Sequence, residues 1–132
     1  MSKSPKSLFF GLAVLTILKT MIQPLSAQQA EGRSTLTLIN HSGENALVKL
    51  IGPAKKIVAV NNGENQTVSL RKGTYQIYVR YGQNNNYRYA RGQPFTIEEN
   101  ALMYTKASLT LHGVINGNYS MLPISREVFE QQ

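Results

Sequence analysis

The side chains able to carry covalent or acid–base chemistry are few. The sequence has no cysteine and no aspartate, its seven acidic residues are all glutamates, and its only histidines are His41 and His112. That inventory excludes aspartate-based calcium loops, the aspartic dyad, the Ser-His-Asp triad, disulfides and thiolate metal sites. His41 falls in a turn cluster with Ser42 and Glu44, and His112 ends an extended segment that also carries Ser108. Four residues along a strand separate Cα atoms by about 13–14 Å, so Ser108 and His112 cannot hydrogen-bond directly. No G-x-S-x-G elbow is present. A turn histidine and a solvent-facing strand histidine are therefore expected, with no catalytic residue, no metal site and no cofactor. The alternative is a small exported hydrolase using His41 or His112, which a histidine within about 3.2 Å of a serine hydroxyl or carboxylate in a pocket would mark. Glu98 and Glu99 are chain neighbours, and neighbours on a strand point to opposite faces, so they do not form a glycosidase-like pair.

Residues 78–91 (YVRYGQNNNYRYAR) hold four of the seven tyrosines together with Arg80, Arg88 and Arg91. Tyrosine offers a rigid stacking face with a polar tip, and arginine stacks or forks onto anions. Tyr78, Arg80, Tyr87, Arg88, Tyr89 and Arg91 are accordingly the candidate ligand-binding residues. The ligand classes that fit are an anionic polysaccharide, a lipid headgroup or an acidic protein surface. The plain alternative is a hairpin with some tyrosines in the core and its arginines solvated. If strands 74–81 and 87–91 flank a five-residue loop at 82–86, Arg80 lies opposite Arg88. Like charges directly opposed are destabilising, so that arrangement makes sense with an anion between them. A slip of one residue sets Arg80 opposite Tyr87 instead, as a cation–π pair.

The elements that must position these residues are short. Strands are expected at 34–40, 46–51, 56–60, 66–70, 74–81 and 103–112, with further strand-like stretches at 87–91 and 94–98. Residues 75, 77, 79 and 81 alternate with 76, 78 and 80, the period of a half-buried strand. Leu36, Leu38, Val48, Leu50, Val68, Leu70, Tyr75, Ile77, Val79, Leu109 and Leu111 are the expected core. Turn signals separate the strands, among them Gly52-Pro53 and Asn61-Asn62-Gly63, where Asn-Gly accepts the positive φ of tight hairpins. No stretch shows sustained helical periodicity, although residues 125–132 suit a helical turn or two. About seven short strands with turns between them define an all-β, single-domain sandwich at 34–118, with an irregular tail at 119–132.

The stretch Val68-Ser69-Leu70-Arg71-Lys72-Gly73-Thr74-Tyr75-Gln76-Ile77-Tyr78-Val79 resembles the V-x-L-x-x-G-x-Y-x-I-x-V hairpin of transthyretin-like and carboxypeptidase-regulatory-like domains. The resemblance covers 12 residues. It implies immunoglobulin- or prealbumin-like antiparallel packing with Gly73 at the turn, and it carries over no functional residue. The remainder resembles exported bacterial β-sandwich domains, a class without a single activity.

The N-terminus reads as a secretory signal. Lys3 and Lys6 precede the uncharged apolar run 8–18, and Pro24, Leu25, Ser26 and Ala27 follow. That order is the signal-peptide pattern, with a signal helix at 1–27 and a cut after Ala27. Lys19 closes the apolar run well short of the about 20 residues that a membrane-spanning helix needs, so no stable span is expected after cleavage. An uncleaved anchor is the alternative. Removing 27 of 132 residues leaves a polar lead at 28–33 and one small domain. Three of the 14 basic residues leave with the signal, and the seven glutamates reduce the mature charge to +4. Such a charge favours anionic partners mildly and lacks the dense basic stripe of a nucleic-acid binder. An exported, cysteine-free domain of this size fits a bacterial periplasm or cell surface.

Overall fold

A computed structural model describes residues 12–21, 33–112 and 121–132. The chain forms β1 (Leu12–Met21), β2 (Thr35–His41), β3 (Ala46–Ile51), β4 (Lys55–Val60), β5 (Asn65–Ser69) and β6 (Gly73–Gln83). These are followed by β7 (Asn86–Arg91), β8 (Phe95–Ile97), β9 (Met103–His112), β10 (Leu122–Pro123) and a short helix α1 (Arg126–Glu130). One sheet has the order β1-β9-β2-β5 and the other β10-β7-β6-β3-β4, with β8 pairing the first residues of β6. All the expected strands are present. Alternation of apolar and polar residues puts one face of each sheet inward. Leu36 and Leu38 of β2 and Leu109 and Leu111 of β9 meet Val48, Leu50, Ile77 and Val79 of the facing sheet in one buried cluster. The expected core residues are buried, apart from Val68, which packs half-buried against the cluster. The architecture is an all-β sandwich.

Three features differ from the sequence-based expectation. First, residues 12–21 are not helical: β1 pairs antiparallel with β9 from Leu12↔His112 to Met21↔Met103. A short uncharged apolar run has no period that separates a helix from a buried strand. Its Val14, Thr16, Ile17 and Thr20 suit a strand, and β9 supplies the edge. The cut after Ala27 and the second Asn-Gly turn, at Asn116-Gly117, lie outside the described residues.

Second, two expected hairpins are crossings between sheets. The turn at Asn61-Asn62-Gly63 forms, with Gly63 at φ +82° and the Glu64 N–H donating to Asn61 O at 2.9 Å. Yet β4 belongs to one sheet and β5 to the other. Likewise β5 and β6 lie in different sheets, so the stretch resembling the transthyretin-like hairpin is not one. Its inward pattern still holds, with Leu70, Tyr75, Ile77 and Val79 buried.

Third, the strands are not all antiparallel, because β2 and β9 run parallel. The chain enters β9 from the other sheet beside the start of β2, where polar groups fasten the two. Glu99 accepts from the Ser34 N–H (3.2 Å) and Oγ–H (2.6 Å), and the Thr105 N–H donates to Ser34 Oγ at 3.0 Å. Ser34 and Thr105 are fully buried, so these bonds replace the water they lose.

Tyr75 ties the crossing to the core. Its ring stacks on Phe95 at 5.8 Å, and its hydroxyl donates to Arg71 O at 2.8 Å. Burial pushes the phenol pKa up from 10.0, against the opposing pull of Arg71. A pKa raised in the folded state means that its stabilising contribution is intact below pH 10 and is lost as pH rises through the folded value. Tyr75→Phe is expected to cost about 1 kcal/mol at neutral pH and to flatten the alkaline decline. Urea titrations at pH 7 and above pH 10 measure both effects, and an unchanged alkaline limb would contradict this role.

Candidate functional site

The β6–β7 hairpin turns through Asn84 and Asn85 alone, at φ +58° and +65°. Asparagine tolerates the left-handed region better than most residues, and two such residues make the tight turn whose twist matches paired strands. The loop is thus shorter than five residues, and the register moves by one: Arg80 lies opposite Tyr89, Tyr81 opposite Arg88 and Tyr78 opposite Arg91. Arg80 and Arg88 are therefore on opposite faces, and no anion can be clamped between them.

Arg88 has the parity of buried Ala90 and Tyr81. It forms an ion pair with Glu44, and its guanidinium sits 5.7 Å from the Tyr81 ring centroid. Burial lowers its pKa from the ordinary value. Its role is to hold the end of the hairpin against the 41–45 turn. Asn40 organises that turn from within, since its buried side chain donates to Glu44 O and Val60 O and accepts from the Ser42 N–H and Oγ–H.

The other five candidates, Tyr78, Arg80, Tyr87, Tyr89 and Arg91, share the outer face of the sheet. The C-terminal helix covers part of it. Ser125 caps α1 by accepting from the Val128 N–H at 3.1 Å, and the single turn delivers Phe129 onto the sheet. The Phe129 ring is 5.2 Å from that of Tyr89, and both side chains are buried. Lys49 Nζ lies 4.3 Å from the Phe129 ring centroid and donates to Phe129 O at 3.0 Å. Burial first, then the charges of Lys55 and Arg80, lower the Lys49 pKa, while Glu130 opposes the shift. Tyr89 is thereby withdrawn from any ligand, Tyr78 is half-buried and Arg91 is exposed.

The open part of the face centres on Arg80. Its guanidinium carbon is 4.2 Å from the Tyr87 ring centroid, a close cation–π contact. Its Nε is buried without a hydrogen-bond partner among the described residues. These two side chains line a cleft of about 210 Å³ with Asn45, Ala46, Leu47, Ala59, Asn61, Gly82 and Gln83. Asn45 Nδ2 donates to Gln83 Oε1 at 2.9 Å, so the amides at the rim are pre-oriented. The cleft offers a cation, amide donors and acceptors, and an aromatic wall, a set suited to a carboxylate, sulfate or sugar ring. Sequence reasoning missed Asn45, Asn61, Leu47 and Ala59, because only the pairing of β3 with both β4 and β6 brings them to Arg80.

The two histidines meet each other. His41 and His112 are register partners on the parallel β2–β9 pair, with ring centroids 5.9 Å apart and nearly perpendicular. Among the described residues neither ring hydrogen-bonds a serine hydroxyl or a carboxylate, and no group of three metal-ligating side chains gathers. Glu98 is exposed, whereas Glu99 is engaged with Ser34.

Fold and cleft together define a small all-β sandwich with one arginine–tyrosine cleft on its outer face. Comparison with protein-family models, curated proteins and solved structures finds no match for the chain.

Proposed function

We propose that this chain is an exported, non-enzymatic binding module of the cell envelope that holds an acidic polysaccharide at the Arg80–Tyr87 cleft. The observation that carries this reading is the Arg80 guanidinium, held over Tyr87 with a buried, unpartnered Nε. A buried donor without an acceptor is costly, and a carboxylate or sulfate entering the cleft would satisfy it. Asn45, Asn61 and Gln83 at the rim suit the hydroxyls of a sugar. The signal-like N-terminus and the mature charge of +4 are consistent with an anionic envelope partner. The cleft has room for one ring or one charged group rather than a drug-sized ligand, so affinity would come from repeated units along a polymer.

Calorimetric titration with a polyuronate and with a neutral glucan tests the reading. The wild type is expected to bind the polyuronate, less tightly as salt rises, and to ignore the neutral polymer. Arg80→Ala should weaken binding roughly tenfold or more, the loss of a charge-assisted hydrogen bond. Arg80→Lys should recover only part, lacking the planar fork. Arg88→Ala should bind as wild type while melting earlier. Equal binding by the wild type and Arg80→Ala would remove the proposal.

A further inference from the structure

The edge of β9 carries an inference that rests on the export reading. All ten residues of β9 pair with β1 on one side, and seven of them pair with β2 on the other. A cut after Ala27 would sever β1 from the rest of the chain. Every second residue of β9 would then present its N–H and C=O to an empty side. Such edges recruit other strands unless charges, prolines or bulges blunt them. β9 (MYTKASLTLH) has one lysine, no proline and no glycine.

We propose that removal of β1 turns β9 into a strand acceptor, and that β9 of a second copy takes its place, joining two sandwiches through one continuous sheet. The direction fits. β1 sits antiparallel on this edge, and antiparallel is the only arrangement a two-fold axis generates when a strand pairs with its own copy. The sequence fits as well. With the axis at Ser108, Ala107 pairs with Leu109, Lys106 with Thr110, Thr105 with Leu111 and Tyr104 with His112. Buried-face residues then meet buried-face residues, since Thr105, Ala107, Leu109 and Leu111 are all buried. The single charge, Lys106, faces a neutral threonine rather than its own copy, which avoids like-charge opposition.

The test uses the chain purified from the export compartment, with its N-terminus read by intact mass and its association state by analytical ultracentrifugation. A chain beginning near residue 28 that sediments as a dimer is the expected result. Ser108→Lys, at a half-exposed outward position, should retain the fold by circular dichroism and weaken the dimer about tenfold through like charges facing across the axis. Ser108→Cys provides a second readout in a protein without native cysteine. Directly opposed antiparallel residues approach within disulfide range, so Ser108→Cys should cross-link two copies under mild oxidation. Lys106→Cys should not. A processed chain that is monomeric, a dimer indifferent to both Ser108 substitutions, or a β9 edge filled by a different protein overturns the proposal while leaving export intact. A purified chain that retains residues 12–21 overturns the processing step itself, and the intact mass reports that separately.

Discussion

Val79→Asp is expected to leave the chain without a cooperative unfolding transition. Val79 is fully buried in the middle of β6, paired with Val48 on one side and Ala90 on the other. The substitution removes an apolar side chain whose burial is worth about 1.5–3 kcal/mol. It also places a carboxylate in the apolar core, where the cation that shares its face, Arg88, is already paired with Glu44. Protonation would relieve part of the charge penalty, but the neutral acid still lacks hydrogen-bond partners, at a cost of about 1–3 kcal/mol or more. The sum, about 2.5–6 kcal/mol before the cost of protonating the acid, reaches the lower end of the whole stability of a domain, about 5–15 kcal/mol. Thermal melts followed by circular dichroism read the effect directly. Arg91→Asp, on the same hairpin but exposed, is the control and should melt within a few degrees of wild type. A normal melt for Val79→Asp would contradict the inward assignment of β6.

Gly82→Ala should produce the next largest loss, about 3 kcal/mol, the usual scale for backbone strain combined with displaced main chain. Gly82 has φ +111°, a conformation that L side chains rarely adopt, and a Cβ there would lie 2.2 Å from Asn86 O. That oxygen is backbone and cannot swing away, so the hairpin must open. Opening it would also break the bond from the Gly82 N–H to Asn45 O, now 2.9 Å, and displace two residues of the cleft. Gly63→Ala is the informative comparison. Its φ is +82° but nothing lies within 4 Å of the added Cβ, so it should cost only the left-handed strain, about 1–2 kcal/mol. Urea titrations of the two variants separate strain from collision. If both lose the same amount, Gly82 is not packed against Asn86 as described. Polyuronate binding should fail in Gly82→Ala under conditions where Gly63→Ala still binds.

Local chemistry was legible wherever a residue's own geometry dictates the outcome. The alternation of Tyr75, Ile77, Val79 and Tyr81 sets an inward face whatever the strand pairs with. Gly63 marked a real turn, and Gly73 takes a positive φ as the first residue of β6, because positive φ is a property of the residue and its immediate neighbours. The tyrosine- and arginine-rich hairpin was visible as a hairpin, but its register was not. Asn84 and Asn85 tolerate either a tight turn or a longer loop, and a one-residue shift moves Arg88 to the opposite face from Arg80. The covering of Tyr89 by Phe129 was equally invisible, because it joins residues forty positions apart through a single helical turn.

What the sequence determined by itself was therefore the strands between residues 34 and 112, the residues that face inward, and the scarcity of catalytic side chains. Those follow from side-chain chemistry and a two-residue period, which need no knowledge of neighbours. The tertiary structure alone decided which strands pair. It placed β4 and β5 in different sheets across an ordinary Asn-Gly turn, ran β2 parallel to β9, and put the apolar segment 12–21 on the edge of β9. Strand pairing is a contest among edges that offer the same backbone donors and acceptors, and its outcome depends on the whole sandwich. The Arg80 cleft is a product of that contest, since Asn45, Leu47 and Ala59 reach it only because β3 lies between β4 and β6.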